Sequence, residues 1–93
     1  MDHINSYSEK VKEYASLLLT ISEIAILIET DEDKLREAIL DKTTYLSKAY
    51  NLGKMETVLE FRRQEIELAK LGSPIGIELT QKYMLDQNIN ENV

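Results

Sequence analysis

Asp31, Glu32 and Asp33 are followed closely by Lys34 and Arg36, so five charged side chains crowd into six residues. Two chemistries use such a run. Neighbouring carboxylates can ligate a divalent cation, and bases on a helix can address phosphates or guanine edges of double-stranded DNA. The cation reading fails on spacing. In a calcium-loop frame starting at Asp31, a ligand position falls on Leu35, the required glycine on Arg36 and the closing glutamate on Lys42. Asp31 reads better as a helix N-cap, with Glu32 and Asp33 in a first turn where acids complement the helix dipole. No metal site is expected.

Catalytic chemistry is equally poorly served. His3 is the only histidine, and cysteine is absent, so a nucleophile has no obvious base. Gly53, Gly72 and Gly76 lack the spacing of a phosphate-binding loop. The expectation is a protein that is not an enzyme and carries no cofactor. Arg62 and Arg63 are the only adjacent bases. Pairing with Glu65, Glu67 or a neighbour's acid is the favoured reading, with phosphate contact as the alternative.

The elements that must hold Lys34 and Arg36 read as a helix-turn-helix. Thr20-Ile21-Ser22-Glu23 is a capping box that opens a first helix. Ile24, Ala25 and Ile28 mark its buried face, Glu29-Thr30 the turn, and Leu35 and Ile39 the inner face of the second helix. That second helix turns Glu32, Asp33, Arg36 and Glu37 outward. Before it, Ser6 to Glu9 match another capping box, and Tyr7, Val11, Tyr14, Ala15 and Leu18 share one helical face. Lys10, Lys12 and Lys42 are further bases that could line a groove edge beside Lys34 and Arg36.

Charge opposes the use this architecture suggests. The first 42 residues hold ten acids against five bases, the remaining 51 seven against six. Phosphate contacts dominate DNA affinity, so a single copy is expected to bind weakly, and many copies acting together would be one remedy. Absence of cysteine rules out a disulfide framework and points to the cytoplasm. No apolar run approaches membrane-spanning length, and no signal peptide is visible.

Beyond Asp41 a threonine cap starts a long helix, from about residue 44 to Leu71. Gly72-Ser73-Pro74 then supplies a C-cap, an N-cap and a first-turn proline. A last helix follows to about Asp86. The predicted organisation is all-α: a tri-helical helix-turn-helix unit over 1–42, a long helix plus C-terminal hairpin over 43–86, and a flexible tail over 87–93, all in one compact domain. The long helix has two apolar rows. Met55, Leu59 and Ile66 lie in one, with Arg62 inside it; Val58, Phe61 and Leu68 lie in the other. Ile77 and Met84 add a row on the last helix. A helix apolar over a wide arc is usually buried on two sides, so these residues are expected to form a homo-oligomer interface. Folding back of the N-terminal bundle over the second row is the alternative.

Ile21 to Ala25, continuing through Leu35, resembles the N-terminal helix-turn-helix of phage terminase small subunits. Lys48 to Glu56, KAYNLGKME, resembles the "AY-x-x-G-K-x-E" opening of the helix that follows in some of them, and Ala69 to Pro74 resembles the "A-K-x-G-[SN]-P" corner of related phage and prophage proteins. The resemblance covers residues 20 to 86. It departs from the family at Glu29, where glycine is common, and in its acidic recognition helix. What it implies is a non-enzymatic subunit that recognises viral DNA for packaging. Lys34 and Arg36 would lie on the recognition helix, residues 55–84 would form a ring interface, and a large ATPase-nuclease subunit would be the partner. Two rivals stay open: a small dimeric helix-turn-helix transcription regulator, and an acidic protein-interaction module that does not bind DNA.

Overall fold

A computed structural model of the chain describes residues 2–91, with side chains from residue 7 onward. The described chain is all-α. Its helices are α1 (Asp2–Ser16), α2 (Ile21–Leu27), α3 (Glu32–Leu40), α4 (Tyr45–Lys70) and α5 (Pro74–Glu91). None is long and apolar enough to cross a membrane. Two compact units result, residues 1–58 and 59–93. The boundary therefore falls inside α4, where the sequence suggested residue 42. The first half of α4 belongs to the N-terminal unit because Leu46 and Gly53 are buried there.

Local signals start and stop these helices. Thr20 and Glu23 form the reciprocal capping box. The Asp31 carboxylate accepts the Lys34 N–H at 3.0 Å, capping α3. Thr44 accepts the Ser47 N–H at 3.1 Å, and Ser73 accepts that of Gly76 at 3.3 Å, with Pro74 at the first helical position. Three C-termini close alike, with a left-handed residue just past the cap and a backbone bond spanning six residues. The donors are Leu19, Thr30 and Ser73, and the acceptors the carbonyls of Tyr14, Ala25 and Leu68. The left-handed residues are Leu18 (φ 62°), Glu29 (φ 55°) and Gly72 (φ 89°).

Only Gly72 suits that conformation without a Cβ penalty. A side chain in the left-handed region costs about 1–2 kcal/mol. Glycine's greater unfolded entropy offsets part of this. Glu29→Gly is therefore expected to stabilise the N-terminal unit by roughly 0.5–1 kcal/mol in urea unfolding. Glu29→Val should move the midpoint the other way; a lower midpoint for the glycine variant would contradict the strain.

Three boundaries differ from the sequence reading. Helix α1 starts at Asp2, because no glycine or proline interrupts residues 2–6. The Ser6 and His3 side chains lie outside the described residues. Leu18 leaves the α1 face for the turn and is 54% exposed, and Leu19 packs against the core instead. Residues 87–91, read as flexible tail, continue α5; no glycine or proline falls between residues 77 and 91, and Asn90 donates to the Asp86 carbonyl at 2.7 Å. Residues 92 and 93 of that tail lie outside the described residues.

The core belongs to the N-terminal unit. Val11 and Ala15 of α1, Ile24, Ala25 and Ile28 of α2 and its cap, Leu35 and Ile39 of α3, and Leu46 of α4 are buried together. Burying one such aliphatic side chain contributes about 1.5–3 kcal/mol. Gly53 sets the approach of α4 to α1. A Cβ there would lie 2.2 Å from the Lys12 carbonyl oxygen and 3.1 Å from the Ala15 Cβ. One turn further on, Thr57 donates to the Ser16 carbonyl at the end of α1.

Candidate functional site

Leu35 and Ile39 fix the rotation of α3. At about 100° per residue, Asp33, Glu37 and Leu40 then occupy its outermost line. Lys34 and Arg36 lie about 200° apart, on the two edges of that face. The Arg36 guanidinium is 3.1 Å from the Glu32 carboxylate one turn earlier. The Glu32 carboxyl is held below the usual range by the Ser22 hydroxyl of α2 first and by Arg36 second. The Lys34 side chain is exposed at the edge of a crevice of about 230 Å³ floored by Ile28, Leu35 and Leu46.

The other expected DNA contacts are dispersed. Lys10 is exposed on α1, and Lys42 is exposed in the α3–α4 turn. Lys12 is drawn toward α4, where its ammonium is 3.4 Å from Glu56. Beside Lys42, Asp41 accepts from the Thr43 hydroxyl and N–H, and both bonds lower its pKa. Among the described residues no group of three or more His, Asp or Glu side chains is placed to hold a metal ion. The α3 face can therefore present two bases on the flanks of an acidic centre. Carboxylates in the major groove can accept only from the amino groups of cytosine and adenine, and they repel phosphates.

The second unit is a helical hairpin. Gly76 lets α5 cross α4 closely; a Cβ there would lie 2.6 Å from the Ala69 nitrogen and 3.0 Å from the Glu65 carbonyl oxygen. Further along the seam, the Tyr83 hydroxyl donates to Glu65, and the Arg62 guanidinium lies 4.3 Å from the centre of the Tyr83 ring. The Glu65 bond, then burial, raises the Tyr83 pKa. The Thr80 hydroxyl is shielded from solvent between these residues. The seam is thus polar or small, and an open groove of about 520 Å³ runs along it past Arg62, Gln87 and Asn90.

The apolar side chains flank this seam. Helical periodicity puts Leu59 and Ile66 on one side of α4, and Phe61 and Leu68 on the other. Because α5 runs antiparallel, its periodicity turns the opposite way. Ile77 and Met84 fall on the Leu59 side, and Ile75 and Leu79 on the Phe61 side. Ile66 and Met84 indeed line the same groove. Leu59, Phe61 and Leu68 are each 50% exposed, Met84 58% and Ile75 71%; Gly76 is the only buried residue among those described from 59 onward.

The residues expected at an oligomer interface are accordingly uncovered. Met55 (54%) and Ile77 (40%) are exposed as well, and Val58 is half-buried at the end of the first unit. The Arg62–Tyr83–Glu65 cluster was not legible as a cluster in the sequence, although one signal for it existed. In an antiparallel hairpin turning at Gly72-Ser73, positions 62 and 83 are equidistant from the corner, as are 69 and 76. No protein-family model matches the chain, and no curated protein or solved structure is significantly similar to it.

Proposed function

We propose that this chain is a non-enzymatic, oligomer-forming DNA-binding protein of the cytoplasm, similar in role to a phage terminase small subunit. The hairpin gathers copies, and the α2–α3 pair of each copy touches double-stranded DNA through Arg36 and Lys34. One observation carries the reading: the hairpin exposes large apolar side chains on both of its helices while burying none. A helical pair of about 35 residues is below the size that usually sustains itself, and oligomerisation is the usual remedy. Weak acidic contacts then act together through multivalency. A large ATPase-nuclease subunit would receive the DNA so held.

Absolute mass by light scattering, paired with DNA binding at low and moderate salt, tests this. The expected result is one species of about eight or more chains, a size that fits a ring, with affinity falling steeply as salt rises. Arg36→Ala with Lys34→Ala should weaken binding at least several-fold without changing the mass. Unchanged affinity would remove α3 from the interface. A monomer or dimer would favour a small transcription regulator.

A second reading rests on Asp33 and Glu37, which hold the outermost line of α3. A basic protein partner would fit that face better than DNA does. It requires that no DNA binds even at low salt.

A further inference from the structure

Acids interrupt the bases throughout this chain, with one exception. Residues 42–55 hold Lys42, Lys48 and Lys54 and no acid, the only place where three bases follow one another without an acid between them. Folding sorts these three lysines. At about 100° per residue, Lys48 lies about 200° around α4 from the buried Leu46, and Lys54 only about 80°. Lys54 sits over the Tyr50 ring at 5.3 Å, beside the α1–α2 corner at Leu18–Thr20. Lys42 is exposed in the turn before α4. Tyr45 is exposed in the first turn of α4, and the Lys48 ammonium lies 5.8 Å from the centre of its ring. Among the described residues neither Lys42 nor Lys48 forms an ion pair, whereas Lys12 and Arg36 each have one. The adjacent acid, Asp41, is turned back on the Thr43 hydroxyl and N–H.

We infer that this surface, Lys42, Tyr45 and Lys48, holds the sugar–phosphate backbone of double-stranded DNA. The inference rests on the DNA binding proposed above and adds a contact outside α3. Charge complementarity selects a polyanion. Continuity selects the duplex, because the surface begins two residues after α3 ends at Leu40. All three side chains end in hydrogen-bond donors, two ammoniums and a phenol hydroxyl, and none repels a phosphate. Backbone contacts fix the register and orientation of a protein on DNA, while base edges carry the sequence. The outermost line of α3 is acidic and attracts no phosphate; the start of α4 supplies that attraction. Arg36 and Lys34 are left to address base edges.

Duplex binding at low and moderate salt tests this. Lys42→Gln with Lys48→Gln should weaken binding roughly tenfold or more, and equally for every DNA sequence. The slope of log affinity against log salt should fall by about two, one unit per lost phosphate contact. Lys70→Gln with Lys82→Gln removes the same two charges from the hairpin and should change both quantities far less. All four lysines are exposed, so helical circular dichroism should stay the same. A loss no larger than that of the hairpin pair would overturn the proposal and leave DNA binding through α3 standing. A loss confined to some sequences would make these residues base readers and overturn it too. A wild-type chain that binds no duplex at low salt would remove both readings. Binding of polyglutamate in place of duplex would assign the surface to an acidic protein.

Absence of tryptophan offers a second route. Tyr45→Trp places a single reporter on the surface, and saturating duplex should shield its fluorescence from acrylamide. Unchanged quenching with duplex bound would place the DNA backbone elsewhere and overturn the proposal.

Discussion

Gly53→Ala is expected to destabilise the N-terminal unit by about 3 kcal/mol, the upper part of the range for overpacking a tight contact. On an exposed helix the same change would add about 1 kcal/mol of stability. The sign reverses here because the new methyl would sit 2.2 Å from the Lys12 carbonyl oxygen, a backbone atom that cannot rotate away. Relief would require α1 and α4 to separate. That would loosen Ala15 and the Thr57 bond to the end of α1. Urea unfolding followed by circular dichroism measures the effect. Leu52→Ala, at an exposed position one residue earlier, serves as the control and should change little. A Gly53→Ala midpoint equal to that of the control would mean the helices can part without cost.

The largest functional effect should come from reversing the centre of the α3 face. Asp33→Lys with Glu37→Lys converts its outermost line from two negative charges to two positive ones. Both side chains are exposed, so folding should lose no more than about 1 kcal/mol, mainly from the dipole at position 33. If α3 faces DNA, affinity at low salt should rise tenfold or more. The slope of log affinity against log salt should steepen by up to about two, one unit per new phosphate contact. No gain would place the DNA-facing surface elsewhere. Loss of a protein partner on the same substitution would support the acidic docking reading.

What could be read in the residues was mostly local. Thr20, Glu23, Asp31, Ser73 and Pro74 act within four positions of themselves, and each cap they predict is formed. The buried faces of α2 and α3 followed from spacing alone. Failures came where distance in the chain mattered. At Gly53 a close helix approach, a bend and no effect all stayed open, because nothing nearby names its partner, which lies 41 residues earlier. The compact N-terminal unit extends past residue 42 for the same reason, since Leu46 is buried with residues of α1, α2 and α3. Leu18 matched the α1 periodicity, yet the helix ends before it. The five bases could be listed as one group from sequence, but Lys12 already has Glu56 and Arg36 already has Glu32.

Every buried aliphatic side chain among the described residues precedes position 50, and the hairpin carries its apolar groups outside. The two units consequently obey different laws. Unfolding of the first is a property of one chain and does not depend on how much protein is present. In the proposed assembly, order in the second follows mass action, since covering its surfaces is a binding event. At low expression such an assembly would leave the hairpin as the part that proteases reach first, and degradation would set a threshold below which unassembled chains do not accumulate.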